Sequence, residues 1–240
     1  MSSEAHIAPS FTNKQRIWEI DLLRGVAILL MIVFHLVFDL VEFYDFPINY
    51  RDGIIYWVGR SAAVLFMILA GISHLFTRND YKRGLQVAGF ALVITLFSYI
   101  STPALTIKFG ILHFFAFCML TTPLWRKCTT VLLAFFSLIS FSAIWWLPNL
   151  IVRHDWFAIF GLRTPNFVSG DYYPVFPWLG WYLIGMILAR LLYQNRESIV
   201  PSGISQTIPW TPIHWMGQYS IWIYFIHQPI ILGLLWIVLA

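Results

Sequence analysis

Seven apolar stretches, near residues 22–42, 54–77, 84–101, 107–124, 129–147, 177–193 and 215–239, constrain this chain more than any other feature. Each approaches or reaches the roughly 20 residues that cross the hydrocarbon of a bilayer. A backbone in lipid must satisfy its own N–H and C=O groups, so each stretch is predicted as a helix. Composition agrees: the chain is 59% hydrophobic and 11% charged, against about 25% charged in a soluble domain. The expected fold is therefore all-α, a polytopic membrane bundle of about seven transmembrane helices. Residues 1–15 read as a disordered tail, and 16–240 as one domain.

The Lys and Arg residues give an orientation. Lys14, Arg16, Arg78, Lys82, Arg83, Arg126, Lys127, Arg190 and Arg196 fall on one set of flanks. Arg51, Lys108, Arg153 and Arg163 fall on the other. The richer set is expected in the cytoplasm, with the N-terminus inside and the C-terminus outside a cytoplasmic (inner) membrane. The net charge of +4 is a topology signal and does not call for nucleic acid. Residues 1–20 are too polar, and the segment after them too long, for a cleavable signal. Two cysteines, Cys118 and Cys128, are too few for a disulfide framework.

Ionisable groups inside such segments cost roughly 2.5–3.5 kcal/mol each on insertion scales, which makes them candidates for function. His35 and Asp39 lie in the first segment at a spacing of four, which places them on one helix face. A carboxylate beside an imidazole fixes its tautomer and raises its basicity. The alternative is a structural polar pair. Arg60, His113, Asp171 and His227 fall at or toward the outer half of their segments. Arg24 lies near the inner face, with Asp21 as a partner. Each has a plainer reading: snorkelling for Arg60, a satisfied core imidazole for His113, and a bond to the backbone near Pro229 for His227. The connection 148–176, with its prolines, glycines and aromatics, is long enough to be a lid or binding loop. Nothing in the chain matches a Walker loop, a nucleotide-binding glycine fingerprint or a His-Glu-x-x-His zinc motif, and no metal is expected.

Taken together, Asp21, Arg24, Gly25, Ala27, Ile28, Met31 and His35 resemble the opening of the heparan-alpha-glucosaminide N-acetyltransferase catalytic-domain family, within the wider transmembrane acyltransferases. Phe66 to Ser73 resembles its second helix, and Phe109-Gly110-Ile111-Leu112-His113 its Gly-Ile-Leu segment. Asp171, Tyr172, Pro174, Pro177, Trp178 and Gly180 resemble its loop and following helix. Gly217, Ser220, Tyr224, His227, Gln228 and Pro229 resemble its last helix. The resemblance implies a bacterial enzyme of the cell envelope that moves an acyl group, usually acetyl, across the membrane. The donor would be acetyl-CoA or another acyl-CoA from the cytosol, and the acceptor an extracytoplasmic glycan or small molecule. Residues 42–53, where the family's animal enzyme holds its active histidine, contain none, and heparan sulfate itself is not carried over as the acceptor.

The expected roles follow. His35 is a general base oriented by Asp39, with His113 or Arg60 facing the developing oxyanion. Arg60, Asp171, Tyr172 and His227 position the acceptor. Arg24, Lys82 and Arg83 receive the CoA phosphates. The bilayer, acyl-CoA and the acceptor are the expected partners, with a homo-oligomer possible. Two other functions fit intramembrane histidines: a proton-coupled transporter and a haem-binding electron carrier.

Overall fold

The computed structural model describes residues 17–77, 79–200 and 211–239. The expected tail at 1–15 lies outside them, as does Arg78. Among the described residues eight α-helices follow in order: α1 Trp18–Tyr44, α2 Gly53–Leu75, α3 Asp80–Ser101, α4 Ile111–Lys127, α5 Thr130–Trp146, α6 Val175–Leu192, α7 Thr211–Gln218 and α8 Ser220–Leu239. No strand occurs among the described residues; an isolated bridge joins Phe109 to Tyr172. The chain is an all-α polytopic bundle.

Among the described residues six helices are long and apolar enough to cross a membrane: α1, α2, α3, α5 with its 3-10 extension to Asn149, α6 and α8. The seventh expected span, 107–124, is α4, which is shorter at 17 residues and begins later. The reason is local. Ile107 is tied to α3, its N–H donating to Ser98 Oγ (3.0 Å) and its C=O accepting from Thr95 Oγ1 (2.7 Å). Those bonds hold residue 107 in the connection, so the helix begins after Gly110. In α6 the backbone at Phe176 is non-helical (φ −99°, ψ 132°), so the regular helix effectively starts at Pro177.

α6 is the central helix. Half of its apolar window is buried, against 11–28% in the other spans. It packs between α2 and α5, while α1 packs on α2, α7 and α8, and α3 packs on α4. Met67, Phe114, Leu133, Leu179, Tyr182, Leu183 and Met186 form the largest core cluster. Outward faces carry Ile54, Ile100, Val131 and Trp236, the apolar surface a lipid-facing bundle presents.

Helices in lipid gain little from burying apolar area against one another, so close backbone packing matters more. Two crossings supply it. A Cβ on Gly71 would lie 2.1 Å from the Tyr182 carbonyl oxygen, and one on Gly185 would lie 2.1 Å from that of Ile68. A Cβ on Gly25 would lie 1.9 Å from Ile213 O, and one on Gly217 would lie 1.7 Å from Asp21 O. Glycine is required at all four by backbone contact.

Arginines close the ends where α2 and α4 finish and α3 begins. Arg126 pairs with the buried Asp80 at 2.7 Å and donates to the carbonyls of His74 and Thr77. Arg190 donates to Cys128 O (2.6 Å) and Arg126 O (3.1 Å). The last carbonyls of a helix have no partner within it, and these guanidinium groups supply donors. Residues that signal topology in the sequence thus also serve as helix caps.

The crossing of α2 and α6 gives a direct test. Gly185→Val should lower the thermal unfolding midpoint in detergent by an amount equivalent to about 1–3 kcal/mol or more, the usual cost of overpacking. Gly233→Ala, in α8 where nothing lies within 4 Å of the added carbon, should leave the midpoint unchanged.

Candidate active site

α1 and α8 bring four polar side chains together. The rings of His35 and His227 lie 4.9 Å apart, centroid to centroid, inclined at 60°. Nearby, Gln228 Nε2 donates to Asp39 Oδ1 at 2.6 Å. Asp39 is wholly buried. His35 is 17 residues beyond Trp18, so it stands about 26 Å along α1 at 1.5 Å per residue. His227 reaches a comparable depth because α7 and α8 rise beside α1 from the same end.

The expected orientation of His35 by Asp39 is not what the side chains do. Asp39 bonds across the helix interface to Gln228, and His35 faces His227. A spacing of four puts two residues on one face, but a better-placed partner on the neighbouring helix takes the carboxylate. His227 Nδ1 lies 2.6 Å from the carbonyl oxygen of Tyr224. A carbonyl only accepts, so Nδ1 carries the proton and Nε2 holds the lone pair. His227 Nε2, His35 Nδ1, Asp39 Oδ2 and Gln228 Oε1 are all buried, and none has a hydrogen-bond partner among the described residues.

Beyond His227 the polar surface continues. Tyr224 packs on His227 at 5.3 Å between ring centroids and, like Tyr173, lies against the main core cluster. Tyr173 packs against Trp178 at 4.9 Å between ring centroids, the planes inclined at 57°. Arg60 places its guanidinium 4.6 Å from the Trp178 ring and donates from Nε to Tyr56 OH at 2.9 Å. His35, Asp171, Tyr173 and Tyr224 are each half-buried. The open concavities beside Glu42, Pro47 and Tyr50, and beside Leu30, Ile54 and Trp57, are shallow surface features that share no residue with the His35–His227 pair.

The other expected site residues separate into structural and peripheral groups. His113 Nδ1 accepts from the Gly110 N–H at 3.3 Å, and its Nε2 meets Thr95 Oγ1 at 3.2 Å. Thr95 in turn donates to Ile107 O. Both ring nitrogens of His113 are thus taken up by the start of α4, which leaves no lone pair for a reacting proton. Tyr172 donates to Ala158 O at 2.7 Å and carries Arg163 over its ring at 5.4 Å, holding the long connection together. Asp171 Oδ2 accepts from the Ile111 N–H at 2.9 Å and so also anchors α4. Arg24 donates to Asp21 Oδ1 at 2.8 Å and to Ser73 Oγ. Lys82 and Arg83 are exposed at the start of α3, at the same end of the bundle.

Three contributors were not singled out in the sequence. Gln228 could have been suspected from its place between His227 and Pro229. Asp80 gives no local signal, because its ion-pair partner Arg126 is distant in sequence and His74 belongs to the preceding helix. His74 is buried, with Nδ1 3.3 Å from Asp80. Among the described residues no three His, Cys, Asp or Glu side chains converge as a metal site.

Two expectations test the divided roles. Burial raises the Asp171 carboxyl from its ordinary value to about 6. The folded protein therefore binds this proton more tightly than the unfolded chain does. The stabilisation it gives is full below about pH 4 and is lost as pH rises through 6. Asp171→Asn keeps an acceptor for Ile111, so its thermal midpoint relative to the parent should climb between pH 4 and 7; a constant difference would contradict the shift. His113→Ala should cost about 0.5–2 kcal/mol, the range for a lost helix cap, as read from chemical unfolding.

The family model for "Heparan-alpha-glucosaminide N-acetyltransferase, catalytic" matches residues 16–229, which includes every side chain of the site just described. No curated protein and no solved structure matches the chain. A match over most of the length shows that this chain belongs to the heparan-alpha-glucosaminide N-acetyltransferase catalytic-domain family, a membership that implies a transmembrane acetyltransferase-type function.

Proposed function

We propose that the chain transfers an acyl group, in the first instance acetyl, from cytosolic acyl-CoA to a hydroxyl or amine on an extracytoplasmic acceptor. The acceptor is a glycan or other component of a bacterial cell envelope, and the bundle lies in the inner membrane with its N-terminus in the cytoplasm. One observation carries this reading: in a family of acetyltransferase type, two imidazoles meet 4.9 Å apart deep in the bundle with unpartnered ring nitrogens.

Lys82 and Arg83, exposed at the basic end, suit the diphosphate of CoA through charge-assisted bonds. Arg24 adds positive charge at the same end, already engaged by Asp21 and Ser73. The acceptor approaches from the opposite end past Arg60, Trp178, Tyr173 and Asp171. The flat aromatic faces suit the C–H surface of a sugar ring, and the polar groups suit its hydroxyls. At the histidine pair the acceptor oxygen or nitrogen attacks the thioester carbonyl. Its proton passes to an imidazole, the C–S bond breaks, and the same proton returns to the leaving thiolate. Acylated acceptor and free CoA result, with no oxidant or metal in the balance.

The test is acetyl transfer from radiolabelled acetyl-CoA, supplied on the Lys82–Arg83 side of proteoliposomes, to envelope glycans on the other side. The parent chain should label the glycans. Replacing both imidazoles, His35→Ala with His227→Ala, should reduce turnover by about 10²–10⁴-fold, the usual contribution of a general base. The variant should retain the parent's elution volume and helical content. Uptake of an unmodified solute without acyl transfer would favour a transporter instead.

A further inference from the structure

The two imidazoles at the reaction centre differ in how they are held. His35 has no hydrogen bond fixing its ring among the described residues, and its Nδ1 is enclosed without a partner. Its neighbours are Phe34 and Phe38, at 5.6 and 6.2 Å between ring centroids. Nothing there selects a tautomer. His227 is fixed on three counts. Its Nδ1–H donates to Tyr224 O at 2.6 Å, one turn back in its own helix. Gln228, the next residue, locks α8 to α1 through Asp39. Tyr224 packs against the ring itself.

A general base works from a known tautomer with a lone pair aimed at the proton it takes, and a third group holding the ring supplies that orientation. His227 meets this description: its Nε2 lone pair is buried and unpaired, and the carbonyl of Tyr224 is the orienting group. Buried polar atoms are nearly always hydrogen-bonded, so an orphaned imidazole nitrogen in a ring that faces a second imidazole calls for a ligand. A purely structural His227 would need only its Nδ1.

We infer that His227 is the catalytic base of this site, taking the acceptor's proton on Nε2 and returning it to the CoA thiolate, with His35 as the wall that faces it. The inference rests on the acyl-transfer reading above and names the residue that performs its proton transfer. Asp39 and Gln228 are positioning residues that act by locking the two helices in register.

The experiment has two arms. In the first, acetyl-CoA alone is the probe, with water as acceptor, and thiol release is followed from proteoliposomes of the intact chain. Asn places an amide N–H where imidazole Nδ1 was, so His227→Asn keeps the donor to Tyr224 O and removes the base. It should lower kcat by about 10²–10⁴-fold while KM for acetyl-CoA stays at the parent value. His35→Asn should lose about tenfold at most. Parent-like kcat in His227→Asn, or the full loss in His35→Asn alone, overturns the assignment.

In the second arm the intact chain is treated with diethyl pyrocarbonate, which acylates a free imidazole lone pair, and the modified peptides are weighed. His227 should be carbethoxylated faster than His35, and acetyl-CoA should slow the reaction. Modification of His35 with His227 untouched overturns the assignment without reference to turnover. Absence of thiol release from the parent chain, with His227 still the faster-labelled residue, would count against acyl transfer and leave His227 as the reactive base of the pair.

Discussion

The contact on which the rest of the site depends is the backbone approach of α1 and α7. Gly25 faces Ile213, and Gly217 faces the Asp21 carbonyl, so closely that no side-chain carbon fits between them. In water the hydrophobic effect would hold such helices together through larger side chains. In lipid that driving force between helices is absent, and small residues that allow dense van der Waals packing replace it. This crossing sets the register of the rising α7–α8 arm against α1. Further along the two helices, the same register brings His35 opposite His227 and Asp39 opposite Gln228. A shift of one residue would rotate either side chain by about 100° around its helix and dissolve the cluster.

The two ends of the bundle use charge differently. At the basic end, charges neutralise or cap: Arg126 closes on Asp80, Arg190 on the end of α4, and Arg24 on Asp21. Arg126 and Arg190 meet helix termini, where carbonyls await donors. Deeper in the bundle, the histidine cluster carries no cation–anion pair, and four buried polar atoms stand without hydrogen bonds among the described residues. The first arrangement is what a folded membrane protein needs for its own stability. The second is stable only because the rest of the bundle over-determines it, and unsatisfied polar groups of this kind mark functional sites.

The sequence makes the spans legible because continuous apolar runs have few other physical solutions. It also picks out His35 and His227 by the cost of placing them in lipid. It does not show which residues pair. The i, i+4 relation between His35 and Asp39 is a statement about one isolated helix, whereas the Asp39–Gln228 bond belongs to two helices distant along the chain. The start of α4 is displaced for the same reason: Ser98 and Thr95 on α3 decide the fate of Ile107. His113 resembles His35 in the sequence, being a lone imidazole among apolar residues. Only its bonds to Gly110 and Thr95 reveal that it caps a helix.

The way His227 is held suits its surroundings. In many hydrolytic sites a carboxylate orients the imidazole and stabilises the imidazolium that forms. A carboxylate in that position would add a second buried acid to the cluster beside Asp39, at a cost of several kcal/mol even after relaxation. A backbone carbonyl orients the ring through the same Nδ1–H bond and brings no net charge. The Tyr224 carbonyl does this within α8, so the orientation survives any small movement of α1. Asp39 is directed to Gln228 instead, a neutral donor that fixes the helices and leaves the imidazole free of a standing counter-charge. In the acyl transfer proposed above, charge develops at His227 only while a proton is in transit, when the oxyanion of the reacting thioester supplies the opposite sign. On that proposal, a proton-transfer site exists at this depth without an ion pair to sustain it at rest.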